Sequence, residues 1–433
     1  MSDLSISGTG GRAFHGWRAV VCVWLALLLG ANPSVRAAAA VLTAPLRVVV
    51  VDGAGIAPTG PLAEALTRIL GAPARVVRPN HPAGGDSLSA LREAAAAVFI
   101  QGPGANAAAA DVGVVREFIG SGAGVVVLAA TSAAWPQGLP VTELIGAVPG
   151  GPFAAGAPMA VIDLYPHPIL TGVTRLETKQ SVTRYDKLAD DAQMIIEGTV
   201  GETTTPLAWV RQRGQRRLAH FALADAALFA DPFYQQMIAN ALRWSARRPV
   251  PGARTVVQRT FMPDAYPGAF AITLPNGPSL CLDPVRGGVS YVWAGDFVDL
   301  RPRWLTKEGK PARFFGDVFY REKEWQPLRA GGPSGKAEFQ FRGYTLRDGE
   351  PEFHYEIGGR DVYESFAAAP GGGLLRRFRV GAGGTPLSIQ LEPQAGAEVA
   401  TRGLERDGPL AYFANAAGGE FTIEIRRKAL VTP

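Results

Sequence analysis

At 433 residues the chain implies two or three folded units, taking roughly 150 residues per domain. Hydrophobic residues at 47% and charged residues at 19%, with 52 glycines and 34 prolines, describe a turn-rich globular protein rather than a disordered one. The formal charge of +5 is spread thinly, with Lys and Arg interleaved among Asp and Glu, and this excludes a nucleic-acid partner, which needs a concentrated basic face.

Residues 1–40 read as a secretory signal peptide. Arg12 and Arg18 precede the apolar run Ala19 to Ala31, and the small residues Ala37 to Ala40 follow it. The run falls short of the roughly 20 residues a bilayer span requires. Cleavage near Ala37 to Ala39 would make the protein periplasmic or secreted, with no membrane span after the signal is removed. It would also remove Cys22 and leave Cys281 as the single thiol, which rules out an intramolecular disulfide. The remaining histidines, His81, His167, His220 and His354, show no HxH or HxxxH spacing, so neither a metal nor a cofactor is expected.

From Leu46 the pattern alternates strand and helix. Leu46 to Val51, Ala97 to Gln101 and Val125 to Ala130 are continuous apolar runs of the kind that strands buried on both faces require. A short strand is expected at Arg75 to Val77. Between them lie helical stretches at Pro61 to Leu70, Ser87 to Ala95 and Val112 to Ile119, with Ser87 as an N-cap. Leu207 to Arg211 and Arg217 to Ala222 flank a turn at 212–215, and a helix then opens on Asp231 and Pro232. Alternation of this kind predicts an α/β domain with a doubly wound parallel sheet over 41–248.

Arg247 to Gly252 carries two prolines and a glycine, and residues 249–254 read as a linker. Beyond it the period becomes two. Ala269 to Leu274, Val289 to Trp293, Phe339 to Leu346, Glu352 to Ile357, Leu374 to Val380 and Phe421 to Ile425 are short and aromatic-rich, predicting a mainly antiparallel β-sandwich over 255–433.

Three stretches carry a family likeness: His167-Pro168-Ile169-Leu170-Thr171-Gly172-Val173, Pro206-Leu207-Ala208-Trp209-Val210-Arg211, and Phe229-Ala230-Asp231-Pro232-Phe233 running on to Asn240-Ala241-Leu242-Arg243-Trp244. In order and spacing they resemble the ThuA-like family, first associated with trehalose utilisation, over about 45–248. The resemblance implies a flavodoxin-like fold of the class I glutamine amidotransferase type and a role in carbohydrate metabolism, including that of keto-sugars. It also implies histidines after the first, middle and last strands. Here those neighbourhoods read Gly53-Ala54-Gly55-Ile56, Leu128-Ala129-Ala130-Thr131 and Leu223-Ala224-Asp225, and no Cys nucleophile follows Ala130. The expectation is therefore a degenerate site, with no visible nucleophile triad. The stretch Gly343-Tyr344-Thr345-Leu346 with Pro351-Glu352-Phe353-His354-Tyr355 is similar to β-rich modules that accompany cytochrome c or sugar-oxidising domains in large secreted bacterial proteins. That likeness implies a secreted dehydrogenase or cytochrome as partner, although the chain has no CxxCH haem motif.

In an open α/β sheet a ligand sits beyond the carboxyl ends of the strands. That rule makes Asp52, Gln101, Ser132, Trp135 and Asp225 the ligand-binding candidates, for a carbohydrate, with His167 on a loop nearby. Asp52 and Asp225 read either as an acid/base pair on oxidised sugars, in an isomerase or lyase, or as turn and helix caps. His167 reads first as a loop-ordering residue. The second-half aromatics Tyr291, Trp293, Phe297, Trp304 and Trp325 read either as core or as stacking faces for sugar rings.

Overall fold

The computed structural model describes residues 44–53, 59–79, 86–153, 159–176, 182–214, 216–302, 309–332, 338–369, 372–391 and 393–428. The expected signal peptide, Ala54, Gly55, His81 and Trp304 lie outside the described residues.

Four short strands open the fold: β1 Val48–Val51, β2 Ala74–Val77, β3 Ala96–Ile100 and β4 Gly124–Leu128. β1, β3 and β4 are buried along their whole length, which is why they read as unbroken apolar runs. Then come β5 Ala147–Pro152, β6 Met159–Leu164, β7 Thr183–Leu188, β8 Ala192–Val200, β9 Thr203–Arg213 and β10 Arg216–Phe221. They build an eight-stranded sheet in the order β2-β1-β3-β4-β10-β9-β8-β6, with β5 and β7 paired separately.

Five of those strands, from β2 to β10, run parallel, so the doubly wound reading holds for that part. The sheet as a whole is mixed. β9, β8 and β6 extend it in antiparallel pairs. The cause is connection length: β9 turns back into β10 around Gly214, whereas a parallel pair needs a crossover of about a dozen residues or more.

The helices form where punctuation and apolar spacing agree. α1 Gly60–Leu70 has Pro at its start, buries Leu62 and Leu66, and ends on left-handed Gly71. α2 Ala109–Gly120 and α3 Val141–Ile145 follow. The segment expected as a helix from Ser87 is a 3-10 turn, Leu88–Glu93, with the Ser87 hydroxyl accepting from the Ser89 N–H as its cap. α4 is Ala226–Ala230, and α5 Pro232–Ser245 is capped by Asp231, which accepts from the Tyr234 N–H. α5 lays Met237, Ile238, Ala241, Leu242 and Trp244 into the core beneath β4, and its C-terminal end therefore lies at the starting edge of the parallel strands.

The second half holds antiparallel sheets. Strands 256–259, 270–273, 279–283, 288–294 and 317–321 make a five-stranded sheet in sequence order. A six-stranded sheet takes 339–347, 350–357, 360–369, 373–380, 419–427 and 397–402, and a four-stranded one takes 328–330, 387–390, 410–413 and 405–407. The period-two pattern explains the layering. Phe270, Ile272, Leu280 and Val292 face Phe353, Phe366, Phe378 and Ile423 of the six-stranded sheet, while Ala271, Cys281, Tyr291 and Trp293 point the other way into a second cluster with Phe297 and Val298.

Around the expected linker, the Val250 N–H donates to Asn276 Oδ1 at 2.9 Å. Three more side chains of the first half reach the second: Gln193 Nε2 donates to Phe297 O (2.8 Å), Gln212 Nε2 to Ala294 O (3.3 Å) and Trp244 Nε1 to Asp296 Oδ2 (2.9 Å). Residues 45–433 make one compact unit.

Candidate functional site

The rim of the parallel strands is built by interlocked loops. Asp52 follows β1, is 3% exposed, and donates its N–H to Val77 O at 2.9 Å. Its carboxylate lies 3.4 Å from Arg78 Nε, and the same guanidinium donates to Thr59 Oγ1 at 3.0 Å. Gln101 ends β3 in the left-handed region (φ 61) and Ala129 ends β4 likewise (φ 44), each a conformation that costs a non-glycine residue free energy. The backbone bonds that hold them are short: Gln101 N–H to Leu128 O and Ala129 N–H to Phe221 O, both 2.7 Å.

Trp135 closes this corner. Its indole N–H donates to Gln101 O at 2.7 Å, and it is 6% exposed. A Cβ on Gly102 would stand 2.7 Å from that indole nitrogen, and one on Gly53 would stand 2.3 Å from Gly102 O. Both positions must therefore be glycine, because the loops after β1, β3 and β4 touch backbone to backbone. Ser132 opens the 3-10 turn Ser132–Ala134 and is exposed.

Asp225 caps α4. Its Oδ1 accepts from the Ala227 and Leu228 N–H groups at 2.8 and 2.9 Å. The strands behind Asp52 and Asp225 are separated by β3 and β4, roughly 14 Å at about 4.8 Å per strand step. That spacing offers no shared proton, since a carboxylate dyad requires the two groups within a few ångströms. Of the six residues singled out in the sequence, Asp52, Gln101, Ser132, Trp135 and Asp225 lie along the carboxyl-end rim.

His167 lies elsewhere, packed on the C-terminal end of α5 at the opposite edge. Its Nδ1 accepts from the Ile169 N–H at 3.2 Å, which orders the loop, and its ring meets Trp244 edge-on at 5.2 Å. Its Nε2 is 3.4 Å from Asp296 Oδ2, without the alignment of a hydrogen bond. Burial would raise the Asp296 carboxyl, yet the neighbouring His167 ring, the Arg217 charge and the Trp244 N–H outweigh it and hold the group at about 2.

Sequence reasoning passed over the groups beneath the rim. His220, fully buried on β10, stacks on Trp209 at 4.1 Å, and its Nε2 lies 3.3 Å from the Tyr185 hydroxyl and 3.4 Å from the Ala130 N–H. The Tyr185 hydroxyl also donates to Ala130 O at 3.2 Å. Burial pushes His220 down to about 3 and Tyr185 well above its ordinary value, so both are neutral at pH 7. Neutral, stacked and enclosed, this trio supports the rim through Ala130.

Among the second-half aromatics, Tyr291, Trp293 and Phe297 are core, while Trp325 is 46% exposed and packs edge-on against Tyr266. Among the described residues no group of three His, Cys, Asp or Glu could hold a metal ion, and no helix is long and apolar enough to cross a membrane.

No family model matches the chain, and no curated protein matches it. Solved structures similar to it include ThuA-like proteins. One, from Bacteroides uniformis, is 13% identical with a TM-score of 0.35, covering 47% of this chain and 92% of its own. A cytoplasmic protein from Salmonella typhimurium is 17% identical at a TM-score of 0.34, covering 43% of this chain and 86% of its own. A carbohydrate deacetylase is 14% identical at a TM-score of 0.30, covering 50% of this chain and 34% of its own.

Proposed function

We propose that this is an exported, carbohydrate-associated protein whose first half binds a sugar at the strand-end rim without turning it over. What supports the sugar is the motif likeness around His167, Trp209 and Asp231. What supports binding rather than catalysis is the engagement of the two rim carboxylates: Asp52 faces Arg78, and Asp225 accepts two backbone N–H groups. An acid or base needs a carboxylate within reach of substrate and tuned near the working pH.

Calorimetric titration with glucose and with a 3-keto-glucoside tests the reading. Asp52→Ala or Asp225→Ala should weaken sugar binding by about 1–3 kcal/mol, the cost of stranding a polar partner. Unchanged binding in both variants would move the site off the rim. Measurable consumption of the keto-glucoside would favour the rival reading, an isomerase or lyase. Co-purification with a secreted dehydrogenase would favour an accessory subunit.

Export has its own test. N-terminal sequencing of the protein from producing cells should begin between about Ala38 and Val41. A start at Met1 or Ser2 would remove the periplasmic or secreted assignment.

A further inference from the structure

A cleft of about 290 Å³ opens beside Trp135, and neither Asp52 nor Asp225 lines it. The end of α2 supplies Arg116 and the buried Ile119, the loop before α3 supplies Leu139, and the β9–β10 hairpin supplies Arg211, Arg213 and Arg216. The volume sits just below the range of about 300–1,000 Å³ usual for small-molecule sites, and so suits one sugar ring rather than a chain.

The charge in this cleft is unbalanced. Arg211 is buried and structural: it grips Asp191 at 2.7 Å and donates to the carbonyls of Glu143 and Leu144. Arg213 shares the same Asp191 carboxylate at 2.5 Å. Arg116 makes one hydrogen bond, to Gly138 O at 3.3 Å, and no ion pair among the described residues. Arg216 has no ion pair among them either, and its buried Nε has no hydrogen-bond partner. Arg211 and Arg213 thus share Asp191, while Arg116 and Arg216 have no ion pair among the described residues and the Arg216 Nε is buried without an acceptor.

Such a group stays buried at a cost unless something accepts from it. A guanidinium fork matches a carboxylate in plane and in charge, and the apolar floor of Ile119 and Leu139 suits the C–H face of a pyranose. We propose that this cleft binds a monosaccharide acid, a hexuronate, with Arg116 and Arg216 on its carboxylate. The carboxylate part stands on the arginines alone, while the sugar part rests on the carbohydrate reading above.

Titration of the full chain with glucuronate, glucose and inorganic phosphate decides it, with thermal melting to confirm that each variant is folded. Glucuronate should bind at least tenfold more tightly than glucose. Arg116→Ala, at an exposed position, and Arg216→Gln should each weaken it at least tenfold. Glucose binding as tightly as glucuronate, phosphate binding as tightly, no glucuronate binding, or full affinity in both folded arginine variants would each overturn the assignment. Glucuronate lost only in the arginine variants, with glucose unaffected in Asp52→Ala, would sink the rim reading and leave this one standing.

Discussion

Replacing Arg376 with methionine should cost the protein about 3–5 kcal/mol of stability, the usual penalty for removing one partner of a buried ion pair. Arg376 and Glu364 are 2% and 1% exposed on neighbouring strands of the six-stranded sheet, with Nε 2.6 Å from Oε1. Burial alone would lower the guanidinium, but Glu364 outweighs it and holds the proton more firmly than usual. The pair is not isolated. The Tyr355 hydroxyl donates to Glu364 Oε2 at 3.1 Å, and Glu322, itself raised by burial, is drawn down by Arg376. Arg376→Met therefore strands two carboxylates in the core. Urea unfolding measures the loss, and Arg376→Met combined with Glu364→Leu should recover part of it, because Glu322 alone is then left without its cation. A single variant within about 0.5 kcal/mol of the parent, the range of surface substitutions, would show that the pair is dispensable.

His220 sets the second large effect, an acid sensitivity. In the unfolded chain its imidazole takes a proton near 6.5, but in the folded protein burial holds it neutral down to about 3. Between those values the unfolded state binds the extra proton, so this residue lowers stability as pH falls, by up to about 1.4 kcal/mol per pH unit. Above pH 6.5 it contributes nothing. Asp296 works in a lower window: its depressed carboxyl stabilises the fold above about 3.8 and loses that contribution as pH drops towards 2. Unfolding midpoints at pH 7, 5 and 4 should converge for His220→Gln relative to the parent, since glutamine offers an acceptor to the Ala130 N–H without titrating. Parallel midpoints across that range would mean that His220 is charged in the native state.

Much of the first half was legible because its strands are buried on both faces and its helices carry explicit boundaries, a stop at Gly71 and a start at Asp231-Pro232. The antiparallel extension was not. β8 mixes Gln193, Glu197 and Gly198 into its apolar run, and the region from β5 to β7 holds prolines and glycines that punctuate rather than repeat. The Ser87 segment kept its cap but wound too tightly, into a 3-10 turn too short to become an α-helix. At the rim, sequence placed Asp52, Gln101 and Asp225 at strand ends correctly, since strand ends follow from strands. Their partners were invisible because they are supplied by other segments: Arg78 for Asp52, Trp135 for the Gln101 carbonyl, Asp296 for His167. The arginine cleft was hidden for the same reason: Arg116 comes from α2, far in the chain from the hairpin that carries Arg211, Arg213 and Arg216.

Asp296 sits just past the 288–294 strand, yet the groups that hold its carboxylate, His167, Arg217 and Trp244, belong to the first half. The consequence concerns modular exchange. A first half expressed by itself would leave the Trp244 indole N–H without its acceptor and the buried Arg217 guanidinium without its counter-charge, and a transplanted β-rich half would have to bring an acid to this one loop position. The prolines and glycine of 249–252 look like a place to cut the gene, but the carboxylate a few dozen residues later ties the two parts into one inheritable piece.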